Sequence, residues 1–407
     1  MAPTAAPTAE RPASPDGPDP LSVDALVDAT PASRDRFVDA LRALSILVVV
    51  LWHWVFSVTH WNGDGALTMP NPVGEVRFVW LATWLLQVMP LFFLVGGFAN
   101  LAAWDATRRR GGTARDFLRS RLARLGRPVA VFVAVWIVGE AVVWAAVPDY
   151  PGVLHWGRVV FVPLWFLGVY AAVVALVPAT AWLHRHGREL TVVGLGAAIA
   201  LADLGRFQSG GDELGLVNSL LVFVFAHQLG YLWRDGRLAE PTPEARNRRW
   251  ALVVGGLTAL VVLTHIGVYP RSMVAVRGED VSNMFPTTAC IAALAVLQLG
   301  VVLLLRPPAE RLLARRAAWR VVVAANGVAM TVFTWHMTAL VVAIGALAAL
   351  GVRLGDEPTA SWWATRPLWV LLPGAVLAAL VAAFARFERP RAPAPGGPER
   401  RRCPAPG

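Results

Sequence analysis

A histidine and an arginine set eleven positions apart in an apolar run are the first residues of this chain with chemistry to offer. They are His53 and Arg42, in FVDALRALSILVVVLWHWVFS, Phe37 to Ser57. The run is long and apolar enough to cross a bilayer. Ionisable groups at that depth are costly, which makes each one a functional candidate by default. A neutral histidine near pH 7 can take the proton of a hydroxyl and so make it a nucleophile. An arginine can hold a phosphate or carboxylate through two parallel hydrogen bonds. At about 100° per residue the two share one helix face, about 16 Å apart along the axis. Asp39, Ser45 and Ser57 fall on the same side, within an arc of about 120°. An ordinary first transmembrane helix with a snorkelling arginine and one tolerated histidine is the competing reading of this stretch alone.

Other residues of the same kind lie further along. Glu140 is a carboxylate in an apolar segment, placed either to orient or deprotonate His53 or to be satisfied structurally. Trp335-His336 lies near mid-depth of another segment, which makes His336 a second site candidate. His227-Gln228 reads as a polar contact between helices. Trp165, in PLWFL, is either an interfacial and packing residue or a platform for substrate. Between two apolar segments runs an arginine-rich loop, 108–127. Thr113 with Asp116 three residues on marks a helix start. Phe117, Leu118, Leu122 and Leu125 form an apolar stripe, so an amphipathic helix on the inner membrane face is expected. Arg121 and Arg124, three residues apart, can converge on one phosphate group or bind anionic lipid.

The elements that must position these side chains follow from composition. Of 407 residues, 56% are hydrophobic and 16% charged, too little charge for a soluble protein of this size. The expected fold is all-α, a polytopic membrane helical bundle. Ten apolar segments run at roughly 37–57, 77–104, 128–148, 159–182, 190–205, 217–233, 250–269, 286–305, 321–350 and 366–387. The ninth is too long for a straight span. In the second, Gly96–Gly97 lets another backbone approach closely. The net charge of +10 comes from 37 basic residues, all arginine, gathered in alternate loops. That alternation is the positive-inside pattern; it puts both termini in the cytoplasm and accounts for the charge without nucleic acid. Arg42 then lies toward the cytoplasm and His53 in the outer half. Residues 1–33 and 388–407, rich in proline with alanine or arginine, are expected to be disordered tails around one membrane domain, 34–387. Cys290 and Cys403 have no metal spacing and are not expected to pair. The sequence has no P-loop, dinucleotide fingerprint or HExxH motif, and no clear transporter-type repeat.

RDRFVDALRALSILVVVLWHW, with ten residues between Arg42 and His53, resembles the first helix of the acyltransferase 3 family of integral membrane acyltransferases. MPLFFLVGGF, RSRLARLGRP, LWFLGVY and TVFTWHM resemble further segments of that family, in the same order, so the resemblance spans about 34–387. It implies transfer of an acyl group, often acetyl, from cytoplasmic acyl-CoA to a hydroxyl of a glycan, lipid or secondary metabolite. Acetyl-CoA would be a donor substrate, with no permanently bound cofactor and no metal. The resemblance carries the catalytic histidine onto His53 and the motif arginine onto Arg42. Two departures stand out: Gly96 occupies a position where the family often has serine, and Pro128 follows Arg124 by four residues rather than three. The donor-binding pair is therefore either Arg121 with Arg124 or Arg124 with Arg127. The implied partners are acyl-CoA, the acceptor and membrane lipids of the plasma membrane. A transporter or flippase using Asp39, Arg42, Glu140 and His53 as a polar pathway is the alternative, and a membrane sensor or scaffold a third reading.

Overall fold

The computed structural model describes residues 22–210, 212–352 and 354–388. Among them, ten helices are long and apolar enough to cross a membrane: Arg36–Val55, Trp80–Arg109, Ala114–Ala146, Arg158–Ala175, Glu189–Ser209, Glu213–Arg234, Pro243–Ile266, Ala289–Leu313, Ala329–Ala349 and Ala360–Phe387. We number these spans one to ten. The protein is an all-helical, multi-pass membrane protein, with one short hairpin, His60–Trp61 against Leu67–Thr68, in the loop after span one.

Burial separates core from periphery. Span six is 72% buried within the protein and span three only 6%, so span three leaves most of its apolar surface for lipid. The core approach of spans two and six depends on glycine. A Cβ on Gly97 would stand 2.0 Å from the carbonyl oxygen of His227, and one on Gly230 would stand 2.0 Å from that of Leu94. The expected close approach is thus a backbone-to-backbone contact with span six at Gly97, while Gly96 faces the Tyr170 ring of span four.

Several spans are broken where the site needs it. Span two consists of Trp80–Leu86 and Met89–Arg109, interrupted just before Pro90. The side chain of Gln87 fills the break: its Oε1 accepts from the Met89 N–H at 3.2 Å, and its Nε2 donates to the Met273 carbonyl at 3.1 Å. The long ninth segment resolves into Arg316–Gly327 and Ala329–Ala349. At that second start Glu388 accepts from the backbone N–H groups of Met330 and Thr331, at 3.0 and 2.9 Å, and from the Thr331 hydroxyl. Burial pushes the Glu388 carboxyl up from its ordinary range, and these hydrogen bonds pull it back. The residue after span ten therefore caps the helix that carries His336.

Two expectations change. The amphipathic helix expected before span three is not separate. Thr113 and Asp116 do form a reciprocal capping box, but the helix they start runs unbroken to Ala146, through Pro128. Proline removes one intrahelical bond, from the carbonyl of Arg124; that residue is exposed, so water can take the bond's place. At the N-terminus, residues 22–33 were grouped with a disordered tail, yet they hold a helix, Val23–Asp28, capped by Ser22. It docks on Arg316–Gly327 through ion pairs of Arg316 with Asp28 and of Arg320 with Asp24. The rest of the N-terminal stretch, 1–21, and residues 389–407 of the C-terminal stretch, with Cys403, lie outside the described residues.

Candidate functional site

Spans one and nine bring the two best sequence candidates into contact. His53 Nδ1 lies 2.9 Å from His336 Nε2, with ring centroids 5.1 Å apart and planes inclined by 22°. His336 is fully buried, and its Nδ1 lies 2.7 Å from the carbonyl oxygen of Phe333. A carbonyl can only accept, so His336 Nδ1 carries the proton and donates it. Neutral His336 then offers Nε2 as an acceptor, and His53 Nδ1–H must be the donor. This fixes the tautomer of neutral His53 with its lone pair on Nε2, which makes no hydrogen bond among the described residues. The chain Phe333 carbonyl, His336, His53 thus ends in a free basic nitrogen.

Two indoles hold this pair in place. Trp54 Nε1 donates to the His336 carbonyl at 3.1 Å, and Trp369 Nε1 donates to the Trp54 carbonyl at 2.9 Å. These two hydrogen bonds, with the His53–His336 contact, tie spans one, nine and ten together around the histidines. Sequence patterning does not give Trp54 or Trp369 this role: Trp54 adjoins His53 but reads as one more apolar residue of span one, and Trp369 has no chemistry-bearing neighbour in the pattern.

His53 and His336 both line a cavity of about 530 Å3. Its walls come from span one (Val49, Trp52), the break in span two (Thr83 to Met89), the start of span four (Val162 to Phe166), the loop before span eight (Val274, Ala275, Met284, Phe285) and span nine (Phe333). Trp165 therefore faces the cavity, with Phe285 beside it at 6.4 Å between ring centroids. The break at Gln87–Val88, in a segment the sequence reads as one run over 77–104, and its role as a cavity wall come from the structure.

Arg42 stands at the opposite end of the polar seam and is not free. Its Nη2 pairs with Asp39 at 3.1 Å and its Nε donates to Asn326 Oδ1 at 2.7 Å. Asn326 donates in turn to the Asp39 carbonyl at 3.0 Å. The Arg42 side chain is still 32% exposed. Arg121 reaches the same region, where its Nη2 donates to the Ala99 carbonyl at 3.3 Å. The charges of Arg42, Arg121 and Arg124 lie close enough to act on one another. Three like charges in one region, with Asp39 neutralising part of them, favour an anion. Arg124 and Arg127 are both exposed. Asn326, which holds Arg42 from the helix Arg316–Gly327, carries no signal in the sequence.

Glu140 is not a partner of His53. Its Oε1 accepts from the Tyr150 hydroxyl at 2.8 Å and its Oε2 from the Val153 N–H at 2.9 Å. It fastens the loop after span three, and His336 takes the place beside His53 that the sequence offered to a carboxylate. His227 meets Asn100 at 3.2 Å and Gln228 donates to the Thr180 carbonyl at 2.9 Å, both interhelical contacts as expected. Among the described residues no group of three or more His, Cys, Asp or Glu side chains gathers as a metal site would require.

A family model, Acyl_transf_3, described as an acyltransferase domain, matches residues 35–386. No curated protein and no solved structure matches the chain. With nearly all of its length covered, the chain belongs to the acyltransferase-domain family.

Proposed function

Starting from that membership, which makes the protein a membrane-embedded acyltransferase, we propose that it moves an acyl group, acetyl in the simplest case, from acyl-CoA to a hydroxyl of an envelope glycan, a lipid or a secondary metabolite. His53 is the general base. The observation that carries this reading is the relay of contacts from the Phe333 carbonyl through His336 to His53, from which follows a lone pair on His53 Nε2 at the wall of a cavity. A hydroxyl is a poor nucleophile until a base takes its proton. As its oxygen attacks the thioester carbonyl, a C–O bond forms and the C–S bond breaks. The hydroxyl proton passes to His53 Nε2 and then to the departing thiolate, giving an ester and free CoA. His336 is a positioning residue. It accepts from His53 Nδ1–H throughout, and so favours the imidazolium that forms in the transition state, as the third member of a triad does.

The donor enters from the arginine-rich face. Arg36 Nη1 donates to the Leu313 carbonyl, and Glu388 caps span nine, so the start of span one, the ends of spans eight and ten and the start of span nine share this face. The charge asymmetry of the loops supports reading it as the cytoplasmic face, in this proposal that of the plasma membrane. Arg121 and Arg124, with Arg42 behind them, hold the CoA phosphates. The pantetheine arm then runs along span one toward His53, about 16 Å away.

The test is labelled acetyl-CoA incubated with purified protein in lipid nanodiscs, followed by mass spectrometry of envelope glycans, lipids and secreted metabolites from wild-type, deletion and His53→Ala strains. An acyl mass shift present in wild type and missing in both mutants is the expected result. An unchanged product in His53→Ala removes His53 as the base, and no CoA interaction at millimolar donor removes the donor assignment. The transport reading gains nothing from the family membership.

A further inference from the structure

The cavity at His53 has a composition that narrows the acceptor. No aspartate, glutamate or arginine lines it. Its polar side chains are His53, His336, Thr83 and Gln87, beside the indoles of Trp52 and Trp165. Their hydrogen bonds are almost all made within the protein. The Thr83 hydroxyl donates to the Trp80 carbonyl at 2.6 Å and accepts from the Met273 N–H at 2.9 Å. Gln87 Nε2 donates to the Met273 carbonyl and, at 3.4 Å, to the Met284 sulfur. Gln87 Oε1 accepts from Met89 N–H. Both nitrogens of His336 are engaged. Of the imidazole nitrogens only His53 Nε2 is free, and the two indole N–H groups are the side-chain donors left over.

Such a wall suits one kind of guest. Each hydroxyl of a sugar that loses water here without a partner costs about 1–3 kcal/mol. A phosphate or carboxylate would meet no counter-charge. The arginines that could supply one stand at the other end of span one. We propose that this cavity is the acceptor subsite, and that it takes an uncharged, predominantly apolar alcohol which presents one hydroxyl to His53 Nε2. This rests on the acyltransfer reading above, in which the thioester arrives from the arginine face and leaves the opposite side of the histidine pair to the acceptor. At about 530 Å3 the cavity has the size of one that encloses a drug-sized molecule rather than a polymer segment. Trp165 and the 60% exposed Phe285 mark its open side, where aromatic edges guide an apolar body inward. The alcohol is either a bilayer lipid or a hydrophobic metabolite from solution, and the two share this chemistry.

The experiment uses the full chain in nanodiscs and two readouts. The first is photolabelling, without any donor, by a diazirine-bearing polycyclic terpenoid alcohol, with the labelled peptides mapped by mass spectrometry. Labelling is expected at the segments containing Trp165 and Phe285, competed by the parent alcohol and not by methyl glucoside. It is expected to fall at least about tenfold in Ala275→Asp, which puts a charge at the wall of the cavity; thermal melting confirms that this variant folds. The second readout is ester formation from labelled acetyl-CoA, with diacylglycerol in the bilayer, the terpenoid alcohol in solution, or methyl glucoside and a disaccharide as acceptors. Esters on either apolar alcohol, at least about tenfold over the sugars, support the assignment, and the alcohol that reacts tells lipid from metabolite. Competed labelling with no ester from acetyl-CoA supports the chemistry of the cavity and overturns the donor reading instead. Esters on the sugars without competed labelling overturn the apolar acceptor and uphold acyl transfer. Labelling competed by palmitoyl-CoA but not by the parent alcohol makes the cavity a donor acyl-chain site and overturns the assignment too.

Discussion

The two ends of span one are built on opposite principles. Around Arg42 the side chains are charged, cross-linked and partly open to solvent: Asp39 and Asn326 hold the guanidinium, and Arg121 and Arg124 stand close by. Around His53 there is no charged residue, and apart from His53 Nε2 and two indole N–H groups the polar side chains have their hydrogen bonds within the protein. Screening and hydration keep the first end tolerant of single losses, because a neighbouring guanidinium still attracts an anion. The second end has no such reserve. In the proposed reading a base in this apolar pocket works through one lone pair, and that lone pair exists only while its partner fixes the tautomer. On that reading the contrast separates a subsite for charge from a subsite for chemistry within the single helix Arg36–Val55.

The comparison breaks most sharply at His53. His53→Ala is expected to lower kcat about 10²–10⁴-fold, the usual contribution of a general base, with unchanged thermal melting and unchanged donor affinity. Activity within threefold of wild type would remove the base. His336→Ala should cost about 10²-fold in kcat through loss of orientation. His336→Gln, whose amide oxygen can still accept from His53 Nδ1–H, should recover part of that; equal losses in both variants would make His336 a packing residue only. Arg121→Ala with Arg124→Ala should raise the KM for acetyl-CoA about tenfold and leave kcat near wild type, whereas either single change has a smaller effect. A double variant that changes kcat and spares KM would place the donor elsewhere. Glu140→Gln is expected to do least to catalysis, under about threefold in kcat, and to lower the melting temperature through the Tyr150 and Val153 contacts. A large loss of kcat with intact stability would return Glu140 to the histidine site.

Glycine offers a separate check on the scaffold that holds both ends. Gly97→Val has no room, since even a Cβ would lie 2.0 Å from the His227 carbonyl. It should prevent stable folding, seen as loss of monodisperse protein in detergent, while Gly126→Ala, where nothing lies within 4 Å, should be silent.

Much of this was legible in the chain itself. The ten apolar runs are visible because lipid demands long uncharged segments with internal backbone hydrogen bonds. The pairing of Arg42 with His53 on one face follows from helix geometry alone. The capping box at Thr113 and Asp116 could be read because both partners are local, three residues apart. Of the two roles open to Glu140, the structure matches the structural one rather than the partnership with His53, and the sequence had no means to choose between them. The Glu140 carboxylate meets Tyr150 and Val153, ten and thirteen residues on, through a loop whose path no periodicity describes.

What the sequence determined by itself is therefore what short-range geometry and the bilayer dictate: spans, their faces, their caps, and the residue types available for chemistry. What only the tertiary structure decided is which of those residues meet. His53 and His336 are 283 positions apart, and their contact depends on the packing of spans one, nine and ten and on the Glu388 cap of the helix that carries His336. Such contacts have no signature along the chain, because the free energy that selects them belongs to burial and packing summed over many side chains rather than to any local pattern.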